Sequence, residues 1–305
     1  MNTGLKANVM LLIVTMFWGS SYLFMKMGLT DVQEFNLIAL RFGLAFILSG
    51  IVFHRRLIHA DFKTVKYAFW QGTILFLVFA AITFGVKSTS ASNAGFLVSL
   101  TVVFVPLLLT VRYRRMPENR VIVGVILALT GIGLLTLTSR FVISSGDLLC
   151  ILGALMYAIH IVVTGKLTKS VDSLTLGILQ LGFAGAWGLV FSALLEQPQL
   201  PDTADAWVSV LGLSLFCSAF GFIVQTAAQK YTTPTHTGLL FSLEPVFAAW
   251  FAFAFAGESL SLQGYAGAAL VLLSVLTAQI DIKKILRKPG FHKSSAESKT
   301  NSIAG

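Results

Sequence analysis

Apolar residues in this chain fall in long runs rather than in alternation. Ten stretches of about 20 residues are apolar and long enough to cross ~30 Å of hydrocarbon at 1.5 Å per residue. They fall at roughly 7–27, 34–53, 68–86, 94–111, 121–138, 147–165, 174–194, 207–228, 237–256 and 264–282. The polar connections between them are too short to hold a folded soluble domain. Each run must be helical. Lipid offers no partner to backbone N–H and C=O groups, and runs without period-two alternation do not make barrel strands. The expectation is an all-α integral membrane protein with ten transmembrane helices. The first run is too long for the apolar core of a signal peptide, so it reads as a retained span.

The pattern also repeats. At an offset of 143 residues, Lys87-Ser88-Thr89 falls on Lys230-Tyr231-Thr232, and the segment Gly95 to Leu100 falls on Gly238 to Leu243. Val103-Phe104 then matches Val246-Phe247, and Gly124 matches Gly267. A looser offset near 140 sets Lys26 near Lys166. The chain thus divides into a short N-terminus (1–6), a first five-helix repeat (7–138), a second (147–282) and a tail (283–305). An odd number of spans per repeat makes the second copy enter the membrane from the opposite side. Two inverted repeats around a central cavity can open that cavity to one side and then the other. The rival reading is a duplication that merely enlarged a helix bundle.

Composition narrows the function. Of 305 residues, 56% are hydrophobic and 11% charged, against about 25% charged in soluble proteins. A soluble enzyme, a nucleic-acid-binding domain and a receptor with a large ectodomain are excluded. The net charge of +9 follows topology rather than a nucleic-acid partner. Of 22 Lys and Arg, 18 fall on one side of the spans, only Lys87 and Arg140 on the other, and Lys26 and Arg41 within spans. That bias places both termini on the cytoplasmic side of a multi-pass membrane protein. The tail is expected to be disordered, its Lys283, Lys284, Arg287 and Lys288 lying near anionic headgroups. Cys150 and Cys217 lie inside spans and read as small core residues. The chain contains no phosphate-binding G-x-x-x-x-G-K-[ST], no H-E-x-x-H, no close pair of acids within spans and no arginine ladder. No cofactor, metal or catalytic residue is therefore expected, and what remains is a gradient-driven carrier or a facilitator.

Phe17-Trp18-Gly19-Ser20-Ser21 and Leu40-Arg41-Phe42 in the first copy resemble EamA-type members of the drug/metabolite transporter superfamily. So do Leu243-Glu244-Pro245-Val246-Phe247, Gly257-Glu258-Ser259-Leu260 and Gly267-Ala268-Ala269-Leu270 in the second. The first copy departs from the pattern, with Thr101-Val102 where the second has Glu244-Pro245, so unequal contributions from the halves are expected. The resemblance implies a ten-helix fold with a cavity lined by helices 1, 3, 4, 6, 8 and 9. It also implies efflux or exchange of small polar or amphipathic metabolites, amino acids and drugs recurring among them.

Polar groups at depth are costly and need reasons. Glu244, followed by Pro245, either takes up and releases a proton during transport or braces the kink through hydrogen bonds. His160 lies at a similar depth and would form a proton relay with Glu244, or be an ordinary satisfied bundle histidine. Trp18 and Tyr157 occupy equivalent depths in spans 1 and 6, as a substrate platform or as packing. Ser99, Thr101 and Ser242 offer hydroxyls to the cavity, and Gln225 an amide. Arg41, within reach of Asp31 and Glu34, and Lys26, able to snorkel to the surface, read mainly as structural, with a direct role in attracting anionic substrates as the alternative. Trp70 and Trp207 suit interfacial belts. Gly182, Gly185 and Gly188 allow close helix contact, within one protomer or between two.

The leading expectation is a secondary transporter or exporter of small metabolites working by alternating access, with the substrate, the lipid bilayer and protons as partners. Alternatives are an anion antiporter of the sugar-phosphate type, which needs convergent Lys and Arg in the cavity, and a membrane scaffold or membrane-embedded enzyme. Substrate, direction, coupling ion and oligomeric state are not set by the sequence.

Overall fold

The computed structural model describes residues 3–89, 91–136, 144–256 and 261–279. The tail, Arg140 and the Gly257-to-Leu260 motif lie outside these residues, as do the ends of the fifth and tenth spans. Among the described residues all regular structure is helical, and a helical segment occupies each of the ten expected spans.

We label these α1 (Thr3–Gly19 and Ser21–Gly28), α2 (Glu34–Val52), α3 (Phe62–Ser88), α4 (Ala91–Val98 and Thr101–Tyr113) and α5 (Asn119–Thr136). The second copy holds α6 (Ser145–Leu167), α7 (Ser173–Leu195), α8 (Ala204–Gln229), α9 (Pro234–Phe241 and Glu244–Ala256) and α10 (Leu262–Gln279). Seven of the segments are long and apolar enough to cross a membrane by themselves. Of the others, α5 and α10 are shorter apolar helices, and α9 is divided.

Polar residues start the helices where the chain leaves its connections. Asp61, Asp172, Thr203 and Thr233 accept N-terminal N–H groups of α3, α7, α8 and α9, and Ser144 forms a capping box with Asp147 at α6. Partial burial pushes the Asp172 carboxyl up. Hydrogen bonds from Thr175 and the charges of Arg56 and Lys230 outweigh it and hold the group below the usual carboxylate range.

The glycine stripe of α7 packs against α2 of the same chain. A Cβ on Gly188, Gly185 or Gly182 would lie 2.7, 2.7 or 2.9 Å from Ala39, Gly43 or Phe46. Numbers rise along α2 as they fall along α7, so these equivalent helices of the two copies run antiparallel. That makes the repeats inverted. Both ends of the pair are tied. The Glu196 carboxylate accepts the N–H groups of Phe35 and Asn36 at 2.9 Å each, and Asp31 accepts from the N–H groups of Asp202 and Thr203. At the other end Arg56 meets Asp172 at 3.5 Å.

The pairings elsewhere exchange between copies as a two-fold axis requires. α3 lies on α6 as α8 lies on α1, while α5 lies on α10. Several polar side chains inside the bundle bond one another, although Gln71 Oε1 and His160 Nδ1 are left without a partner. Gln71 bonds the His160 carbonyl and the Thr164 hydroxyl, Gln180 bonds Thr226, and Gln225 bonds Gln229. This chain of contacts joins α3, α6, α7 and α8. Cys150 and Cys217 are buried free thiols.

Candidate functional site

Three helices break near mid-length, and the site forms around the breaks. In α1 the interruption falls at Ser20, whose hydroxyl donates to the Phe17 carbonyl at 2.7 Å. Its neighbour Gly19 permits backbone contact with α9: a Cβ there would lie 2.8 Å from the Ala248 nitrogen.

The breaks in α4 and α9 superimpose residue by residue at the 143-residue offset. Ser99 and Ser242 donate their N–H to Gly95 and Gly238, and Leu100 and Leu243 donate to Leu97 and Leu240. Val103 and Val246 donate to Leu100 and Leu243. One bond differs. Val102 donates its N–H to the Ser99 carbonyl at 3.0 Å, whereas its counterpart Pro245 has no N–H to give. The Ser242 carbonyl therefore lacks the donor that its counterpart has, beside the Glu244 carboxylate.

α8 contains a π-helical stretch, Leu213–Phe220. The Cys217 carbonyl within it accepts the Trp18 indole N–H at 2.7 Å. That bond fixes Trp18 among Tyr157, Phe222 and Phe241, at ring separations of 5.9, 5.0 and 4.9 Å. π-Segments free backbone groups for such use and recur at functional sites.

Two cavities meet here. The larger, of about 370 Å³ counting its opening, is lined by Trp18, Ser21, Tyr22 and Met25 of α1, Arg41 of α2, Val78, Phe79 and Ile82 of α3, Val98 of α4, Tyr157 of α6, Phe222 of α8 and Glu244 of α9. Its residues from α1, α2 and α3 lie in the halves nearer the end of the bundle that is poor in Lys and Arg. The smaller, of about 200 Å³, is lined by Val98, Ser99, Thr101, Tyr157, Gly238, Phe241, Ser242 and Glu244, beside the breaks of α4 and α9. Val98, Tyr157 and Glu244 line both, so they form the partition between them.

Six of the eight expected site residues thus line a cavity: Trp18, Tyr157, Glu244, Ser99, Thr101 and Ser242. The hydroxyls of Ser99, Ser242 and Thr101 donate to carbonyls of their own helices at 2.7 Å, which leaves them as acceptors toward a solute. His160 and Gln225 line neither cavity. The His160 Nε2 is 3.0 Å from Gln180 Oε1, and Gln225 accepts weakly from the Tyr157 hydroxyl at 3.5 Å. His160 stacks on Tyr157 at 5.8 Å and makes no bond to Glu244, so no direct relay forms.

The expectation for Arg41 is corrected. Glu34 pairs instead with Lys87 at 2.5 Å, and Asp31 turns to the connection before α8. Arg41 is 1% exposed and lines the larger cavity. Its neighbour on that wall, Tyr22, interacts with Glu244. Sequence reasoning passed over Tyr22 and read Arg41 mainly as structural, with a role in attracting anionic substrates as the lesser alternative. The one available signal was the cost of a buried arginine, which was assigned to nearby acids. Lys26 is exposed as expected. Of the two belt tryptophans, Trp207 lies in the first turn of α8, while the exposed Trp70 lies two turns inside α3 rather than at its end. Among the described residues no cluster of His, Cys, Asp or Glu could hold a metal ion.

An all-helical bundle of inverted repeats, with apolar spans outside and a pair of largely apolar and aromatic cavities holding a few polar groups inside, defines a multi-pass membrane protein. The chain belongs to the EamA-like transporter family, whose model matches residues 5–137 and 144–278. It is a membrane transporter. Similar proteins include two uncharacterized transporters of Archaeoglobus fulgidus. One is 28% identical over 91% of this chain and 87% of its own length, the other 29% identical over 81% and 88%. An uncharacterized transporter YyaM of Bacillus subtilis is 25% identical over 88% and 92%. A solved crystal structure, 17% identical, has the same fold over 92% of this chain and 98% of its own, with a TM-score of 0.75.

Proposed function

We propose that this protein is a secondary transporter of the cell membrane, with both termini cytoplasmic. It moves small amphipathic metabolites, amino acids or drug-like compounds, by alternating access. The observation that carries the reading is the partition: Tyr157 and Glu244 stand between two cavities, beside the breaks of α4 and α9. A solute bound there needs only the repacking of short half-helices to change the side it faces. Glu244 is the coupling carboxylate, exchanging a proton as the site changes sides. Pro245 keeps the backbone open beside it.

The anion-antiporter reading has less support. The cavity walls hold one guanidinium, Arg41, and it shares them with the Glu244 carboxylate, which repels a phosphate.

Flux into proteoliposomes, measured for a panel of amino acids and organic cations with and without an imposed pH gradient, tests this. Substrate movement should accelerate with the gradient. Glu244→Gln, which keeps the shape, should remove that acceleration while the protein remains folded. Flux indifferent to the gradient would make the protein a facilitator and end the proton role of Glu244.

A further inference from the structure

Arg41 is a cation without a counter-charge. Its guanidinium is buried on α2, with Nε 3.0 Å from the Ser218 hydroxyl and its central carbon 4.2 Å from the Phe79 ring centroid. Nη1 is buried without any hydrogen-bond partner. No carboxylate lies within ion-pair distance of it among the described residues. A buried, unpaired charge is costly, and a guanidinium offers a planar fork of donors suited to two carboxylate oxygens. Glu244, 7% exposed, lines the same cavity from α9 and also enters no ion pair among the described residues. Two opposite charges on separate helices thus face one space and leave each other unpaired. Apart from Ser21, the rest of that wall is apolar or aromatic, with Trp18, Phe79 and Phe222 prominent.

We propose that Arg41 is the anion subsite of the larger cavity, and that the solute it selects is a small zwitterion. The solute's carboxylate meets Arg41, its ammonium meets Glu244, and an apolar side chain lies against the aromatic wall. This rests on the transport reading of the same cavity. The charge count selects the class. A simple cation leaves Arg41 unpaired, a simple anion leaves Glu244 unpaired, and a zwitterion satisfies both. The solute thereby supplies the bridge that the empty protein lacks.

Binding to the purified full-length protein by calorimetry, at about pH 7.5, where the amine of a free amino acid is still mostly protonated and a buried carboxyl is more fully ionised than in acid, tests the assignment. Three matched panels serve as probes: apolar amino acids, the same compounds as amides, and the same compounds without the amine. At least one amino acid should bind, and removing either charged group should weaken it about tenfold or more, the size of a lost charge-assisted hydrogen bond. Arg41→Gln should weaken the amino acid similarly yet leave the residual affinity of its amide unchanged. Glu244→Gln should do the converse, sparing the deaminated acid. If Arg41→Gln does not fold, the wild-type panels and Glu244→Gln decide. The assignment is overturned if amides match the amino acids in the wild type, if no amino acid binds, or if Arg41→Gln weakens amide and amino acid alike. Flux separates this from the broader reading. If organic cations cross proteoliposomes while amino acids neither bind nor cross, the zwitterion assignment falls and transport stands. If amino acids bind with the expected pattern and nothing crosses, transport falls instead.

Discussion

At the scale of single residues, Trp18 illustrates how a polar edge sets an apolar ring. Its depth in the first span and that of Tyr157 in the sixth are countable from the sequence, and their rings do meet, at 5.9 Å. The bond that orients Trp18, from its indole N–H to the Cys217 carbonyl, spans 199 residues and has no local signature. Trp18→Phe keeps much of the ring packing but strands that carbonyl in a buried setting. The expected cost is about 1–3 kcal/mol of stability, visible as a lower unfolding temperature in detergent. An unchanged temperature would mean that water or a neighbour replaces the indole. Arg41 shows the opposite case. Asp31 and Glu34 are its nearest acids along the chain, yet Lys87 takes Glu34 from across the fold. Proximity in sequence constrains which charges can reach one another but not which partner wins.

At the scale of elements, the repeat predicted equivalence and the structure locates it in the breaks of α4 and α9. Serines occupy the equivalent positions Ser99 and Ser242, where they return hydrogen bonds to their own helices. The asymmetry of Thr101-Val102 against Glu244-Pro245 becomes one missing N–H. Pro245→Ala should restore it, the alanine N–H donating to the Ser242 carbonyl as Val102 does to Ser99. The α9 break should then stiffen. We expect a higher unfolding temperature and a slower turnover in the flux assay; equal turnover would show that the opening beside Glu244 is not needed. The π stretch of α8 had no such forewarning. Its residues, Leu213–Phe220, are as apolar as any other span, and the extra residue per turn is set by what the helix packs against.

At the scale of the whole molecule, α2 and α7 are packed backbone to backbone and tied at both ends, whereas the cavity walls include half-helices. Motion is therefore expected in α1, α4 and α9 around the α2–α7 pair. Single cysteines report it. Met25 lines the larger cavity and Ser242 the smaller, whereas the native Cys150 and Cys217 line neither. In membrane vesicles of known orientation, an impermeant maleimide should label Met25→Cys from outside and Ser242→Cys from inside. Transported solute should change the two rates in opposite directions. Rates that move together, or not at all, would contradict alternation.

The helical nature of the spans and the inversion of the copies were determined by the sequence alone. Lipid leaves the backbone no other way to satisfy its hydrogen bonds, and an odd number of spans in the first copy must turn the second upside down. Six of the residues that line the two cavities were named from the sequence, where polar and aromatic groups at depth stand out, but the larger share of the lining was not. Which of them face the solute was decided only by the tertiary structure. His160 and Gln225 turn into a polar network behind the wall, while Tyr22 and Arg41 turn toward the space. A helix in an apolar solvent can rotate about its axis with little change in its own sequence pattern. Contacts with its neighbours, such as the glycine stripe of α7 on α2, set that rotation.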